Sequence, residues 1–188
     1  MKETRNCKIE KRNEDSRIVE GYAIVFNSES RDLGGFTEVI EPTALEGVLQ
    51  QSDILCLLNH NEDRGILARS KYGVGSLKLE VDSTGLKYSF EAPCTNLGDE
   101  LLEGLKRGDI TTSSFAFTID SDTWTKKDNG SYIRTINKRQ INKFKELFDV
   151  SPVYKEAYPD TSVALRKLES FDKEDLTDYY MELRHKLQ

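Results

Sequence analysis

Gly108-Asp109-Ile110-Thr111-Thr112-Ser113-Ser114-Phe115-Ala116-Phe117 reads as a turn leading into a β-strand with a serine pair at its entrance. Side chains alternate between the faces of a strand. Ser113, Phe115, Phe117 and Ile119 therefore share one face, and Ser114, Ala116 and Thr118 the other. The phenylalanine face must be core. Ser114 then points away from it, beside Ala116, whose small side chain leaves room next to the hydroxyl. A serine so placed is either an ordinary strand-end residue or a nucleophile, and the rest of the chain must decide which.

Immediately upstream, Thr95 or Asn96 caps a helix running to Arg107, with Leu97, Leu101 and Leu105 on one stripe, Lys106 and Arg107 in the last turn and Gly108 as the stop. Before it lies a hairpin. Leu77, Leu79 and Val81 alternate with polar residues, Asp82-Ser83-Thr84-Gly85 turns, and Leu86, Tyr88, Phe90 and Ala92 alternate again. Residues 53–60 read as a buried strand with Ile54, Cys56, Leu58 and His60 on one side, followed by a charged loop over 61–72. Nearer the N-terminus, residues 17–26 form a strand in which Gly21 hints at a bulge, 36–40 are extended, and Pro42 opens a short helix.

Downstream, a further hairpin is expected around Asp128-Asn129-Gly130. An extended run follows over 144–153, with Pro152 marking an edge or bulge, and a short strand over 163–165. Asp172 caps a last helix with Leu176, Tyr179, Tyr180, Leu183 and Leu187 on one stripe. The expected organisation is a polar N-terminal arm over 1–16, one domain over 17–168, and an amphipathic C-terminal helix over 169–188 that docks on its own domain, engages a partner or is removed. The fold class is mainly β with helices, an antiparallel sheet closed or nearly closed into a barrel.

The chain has 188 residues, enough for one sizeable core. Its net charge of −6 argues against general nucleic-acid or anionic-membrane binding, which need a basic surface. Apolar runs are too short to span a bilayer, and a charged N-terminus without an apolar signal points to a cytoplasm. The 3 cysteines, Cys7, Cys56 and Cys94, are widely spaced and suit reduced thiols. No cofactor or metal is expected. Two histidines and scattered cysteines give no ligand spacing, and Gly34-Gly35 and Gly73-Val74-Gly75 lack the continuation of a phosphate loop. The basic cluster of Lys126, Lys127, Arg134, Lys138, Arg139, Lys143 and Lys145 reads as a solvated hairpin face or a grip for an acidic partner.

A serine hydroxyl needs a base, and imidazole suits that task at neutral pH. His185 sits between Arg184 and Lys186 in the last helix as a solvated residue, which leaves His60 as base or as a satisfied core histidine. A catalytic imidazole needs an acceptor on its other nitrogen. Asp149 interrupts an apolar run where a carboxylate is costly to bury alone, so it is the first candidate, and Glu146 the second. Asp149 also suits a structural pair with an arginine. A Cys56–His60 dyad fails if the strand continues, because four extended residues hold the two about 13 Å apart.

Residues 17–166 resemble the prohead proteases of tailed bacteriophages. The resemblance runs through Val19-Glu20-Gly21-Tyr22-Ala23, Phe26-Asn27, Phe36 to Pro42, Leu58-Asn59-His60, Gly85-Leu86, the helix into Gly108-Asp109-Ile110, Ser114-Phe115-Ala116-Phe117, Asp149-Val150-Ser151-Pro152-Val153 and Ala157-Tyr158-Pro159-Asp160-Thr161. It implies a fold similar to the herpesvirus assemblin proteases, a β-barrel ringed by helices, and a serine endopeptidase that cleaves scaffold and major capsid protein, and often itself, inside the assembling prohead in the bacterial host. It implies His60 as base and Ser114 as nucleophile. The herpesvirus enzymes use a second histidine as third member; here a carboxylate must substitute, and the family commonly carries Glu where this chain has Asp149. Oxyanion donors are implied near Arg166. Herpesvirus relatives are activated by dimerisation, which leaves a homo-oligomer open. The competing readings are a non-catalytic capsid-assembly or scaffolding module with the same fold, and a serine hydrolase of small esters.

Overall fold

The computed structural model describes residues 3–11, 16–30, 32–33, 35–127 and 136–154, with the backbone alone for 3–11, 127 and 136. Outside them lie the Asp128-Asn129-Gly130 turn, Arg134, the strand expected over 163–165, Arg166, and the C-terminal helix with His185.

Two long strands form the spine, β9 (Thr112–Lys127) and β10 (Ile136–Val153). They pair antiparallel from Ile136 beside Lys127 to Val153 beside Thr112. On the far side of β10 run β3 (Phe36–Ile40) and β4 (Asp53–Cys56), both parallel to it, with Leu55 beside Asp149. Beyond β4 the sheet continues through β5 (Ala68–Lys71) to the two-residue β6 (Val74–Gly75). On the far side of β9 come β1 (Glu3–Lys11), β2 (Ile18–Val25), β8 (Gly85–Glu91) and β7 (Lys78–Val81). The order is β6-β5-β4-β10-β9-β1-β2-β8-β7, with β3 on β10 off this path.

The expected mainly β architecture is present, but closure is not. Among the described residues β6 and β7 end the path without pairing to each other, and one α-helix is present. The sheet is mostly antiparallel, apart from the two parallel contacts of β10. Residues 3–11, read as a polar arm, lie between β9 and β2. Their backbone pairs antiparallel with both neighbours, which satisfies the amides that a strand must place. The loop expected over 61–72 contains β5, whose Ala68 and Ser70 are buried between exposed Arg69 and Lys71.

The face prediction for the serine strand holds. Phe115, Phe117 and Phe144 stack in the main core, with the Phe117 and Phe144 rings 4.5 Å apart. Ser113, on the same face, hydrogen-bonds the buried Tyr88 hydroxyl at 2.6 Å. The helix is α1 (Asn96–Arg107), where the Thr95 hydroxyl accepts from the Gly98 amide. It ends at Gly108 with φ 77°, the left-handed geometry that glycine adopts without strain. No helix among the described residues is long and apolar enough to cross a membrane.

Arg139, expected on a solvated hairpin face, is fully buried. Its Nε donates to Asp122 at 2.8 Å, Nη1 lies 3.3 Å from Glu38, and the guanidinium sits over the Trp124 ring. A cation so enclosed requires partner carboxylates, and β3 and β9 supply them. This cluster, with Leu33 and Phe36, pins the ribbon at the end away from Ser114.

Candidate active site

Three segments build the site: the end of β4 and the turn after it, the entrance of β9, and the last residues of β10. The strand expected to carry His60 to its end stops instead at Cys56. Leu57 and Leu58 stay fully buried, and the chain then turns through Asn59 (φ 57°) and His60 (φ 56°). Two consecutive left-handed residues that are not glycine cost roughly 1–3 kcal/mol each and persist only where the surroundings hold them. Here the Asn59 amide donates to Pro152 O at 2.8 Å, the Asn61 amide to Leu58 O, and the Asn61 side chain accepts from the Asp63 amide. The bond from Asn59 also explains Pro152. Its carbonyl faces the β4 side, so its missing N–H lies where no strand demands a donor.

Asp149 owes its direction to a bulge. Leu147 pairs with Phe117 and Asp149 with Ala116, so one extra residue, Phe148, intervenes. Regular alternation would put Asp149 on the core face of Leu147. The bulge switches it to the face of Ala116 and Ser114.

There His60 Nδ1 meets Asp149 Oδ1 at 2.5 Å, with the carboxylate 1% exposed and the imidazole 20%. Of the two carboxylates weighed, Asp149 and not Glu146 is the one the ring meets. The same Oδ1 accepts from the Ser151 hydroxyl at 2.7 Å, and Ser151 Oγ lies 3.3 Å from the Leu57 amide. Ser114 is fully buried and pairs with Ser151 across the β9–β10 ladder. The structure thus brings His60 against Asp149, with Ser114 on the neighbouring strand opposite Ser151. The bond from serine to imidazole is not formed: His60 Nε2 is buried and has no hydrogen-bond partner among the described residues.

The 13 Å argument against a Cys56–His60 dyad loses its premise, since the extended run ends at Cys56. The thiol is disqualified on other grounds. Burial, and behind it the Asp149 charge, pushes its pKa well above the ordinary thiol value, and the thiolate is the nucleophilic form. The sequence signal for Ser151 is its place two residues after Asp149, because such neighbours share a strand face. Among the described residues no group of three His, Cys, Asp or Glu side chains is arranged to hold a metal ion.

A buried carboxylate on one nitrogen of an imidazole, with a strand serine on the same side of the sheet, supplies the components of a serine-hydrolase centre. The family model of the caudovirus prohead serine protease matches residues 5–174, and the chain belongs to that family of phage capsid-maturation proteases. The solved capsid assembly protease of bacteriophage T4 is similar over 81% of this chain and 96% of that one, at 10% sequence identity and a TM-score of 0.49. A search of curated proteins finds no match.

Proposed function

We propose that this chain is a serine endopeptidase of phage capsid maturation, with Ser114 as nucleophile, His60 as general base and Asp149 as the group that orients the imidazole. The contact of His60 Nδ1 with the buried Asp149 carboxylate carries this reading. A carboxylate there accepts a hydrogen bond from Nδ1–H, which keeps that proton on Nδ1 and leaves the lone pair on Nε2, the atom that must take the hydroxyl proton. Ser114 Oγ then attacks a peptide carbonyl. The imidazolium, balanced by Asp149, returns its proton to the leaving amine, and water hydrolyses the acyl-enzyme by the same route. The bond from Ser114 to Nε2, absent in the free chain, forms when substrate binds, since catalytic hydrogen bonds of free enzymes are often completed only in the complex. By resemblance, the oxyanion donors come from the chain near Arg166.

The substrates on this reading are scaffold and major capsid protein, and the chain itself, inside the prohead within the host cytoplasm. Co-expression with the major capsid protein tests it. The native chain should process the capsid protein and Ser114→Ala should not, with a fluorophosphonate adduct mapping to Ser114. Continued processing by the alanine variant would leave a non-catalytic assembly module as the better account.

A further inference from the structure

We infer that Ser151 is a positioning residue of this centre, holding the Asp149 carboxylate and the departure point of the His60 turn with one hydroxyl. The inference rests on the protease reading above. Ser151 is fully buried, donates to Asp149 Oδ1 at 2.7 Å and lies as acceptor 3.3 Å from the Leu57 amide. With its proton given to a carboxylate and its oxygen facing an amide, Ser151 is not a nucleophile itself.

Three consequences follow from which atoms it touches. Oδ1 is the oxygen that also meets His60 Nδ1, so a second donor there fixes the carboxylate rotamer and thereby the plane of the imidazole. The hydroxyl also gives a carboxylate shut away from water a second hydrogen bond, as a buried polar group requires. The Leu57 amide belongs to the first residue after β4, so the same hydroxyl anchors the chain just before the two left-handed residues that aim His60. Among the described residues, His60 from the turn meets the carboxylate and the Cys56 thiol from β4 lies within reach of its charge, which with burial holds that thiol neutral. Ser151 also stands opposite Ser114 in the ladder, next to the candidate nucleophile on the neighbouring strand.

The test uses the full chain and the variants Ser151→Ala, Ser151→Thr and Ser151→Cys, read by capsid-protein cleavage and by the imidazole N–H resonances. The chain holds only 2 histidines, so a His185→Gln variant assigns the His60 signal. Ser151→Ala should lower kcat roughly ten- to a hundredfold with KM little changed, the size of loss found when a hydrogen-bond partner that orients a metal-bound histidine is removed. It should also displace the downfield Nδ1–H resonance. Ser151→Thr, which keeps the hydroxyl, should restore both, and Ser151→Cys, a weak donor of similar size, should fall between. The inference is overturned if Ser151→Cys or Ser151→Ala leaves kcat and resonance at native values, or if a folded Ser151→Thr restores neither. Ser114→Ala run in parallel separates the two claims: cleavage by that variant sinks the protease reading, while the resonance still reports on Ser151.

Discussion

Asp149 is a charge at 1% exposure, and its geometry makes the strongest single-residue test. Asp149→Asn keeps the shape but offers the ring an amide, which allows the tautomer with the proton on Nε2. Where that tautomer prevails the base is lost, and kcat should fall roughly ten-thousandfold, as for the corresponding change in other triads. A loss below tenfold in capsid-protein cleavage would remove Asp149 from the catalytic account. The neighbouring thiol gives a second test at the same scale. Cys56 is buried with its pKa pushed up by desolvation and then by the Asp149 charge, whereas Cys94 is exposed. Iodoacetamide at pH 8 should therefore label Cys94 in the native protein and reach Cys56 only after unfolding, as read by peptide mass. Fast labelling of native Cys56 would contradict the packing around Asp149.

At the scale of elements, the turn bearing His60 is tied to α1. Arg64 pairs with Glu100, and the Tyr154 hydroxyl donates to Glu100 Oε1 at 2.6 Å, so the 3-10 turn Glu62–Arg64, the helix and the end of β10 meet on one carboxylate. The Arg64 guanidinium, and then the Tyr154 hydroxyl, hold the Glu100 pKa below the ordinary value. A carboxylate depressed in the folded state stabilises it fully above the unfolded pKa, about 4.3, and loses that effect as pH falls toward the folded value. Thermal unfolding should thus separate native chain from Glu100→Gln at pH 7, with the gap closing below about pH 4. An unchanged gap at pH 3 would mean the ion pair is not its source, and the effect itself is small because the pair is exposed. These elements differ in how far the sequence announced them. The helix and the hairpin of β7 and β8 were legible because caps, turn residues and period all agreed. The His60 turn was not, since Leu57 and Leu58 extend the apolar run past the point where the backbone leaves the sheet. Apolar character reports burial, not extension. The bulge at Phe148 was equally silent, because it changes the phase of β10 without a glycine to mark it.

Across the whole molecule, the sheet order was beyond reach of local pattern. The placement of β1 between β9 and β2, and the parallel seating of β3 and β4 on β10, depend on contacts between distant segments. The open path follows from the same pairings, which among the described residues do not join β6 to β7. What the alternation in β9 did announce is the division of labour between the two faces of the spine, and this yields a test of the fold and site together. Phe117 is fully buried and stacks on Phe115 and Phe144, on the face away from Ser114. Phe117→Ala should cost about 3–5 kcal/mol, a large share of a domain's 5–15 kcal/mol. For a chain of this size that lowers Tm by roughly 6–20 °C. Below that temperature the variant should keep cleaving capsid protein, since the cavity opens on the other side of the sheet. Ser114→Ala removes one hydroxyl and should do the reverse, ending cleavage with Tm within a few degrees of native. Calorimetry beside a cleavage assay checks both. If Phe117→Ala melted with the native chain, or if it lost cleavage while fully folded, the two faces of β9 would not be the separate structural and chemical surfaces on which this account of the molecule stands.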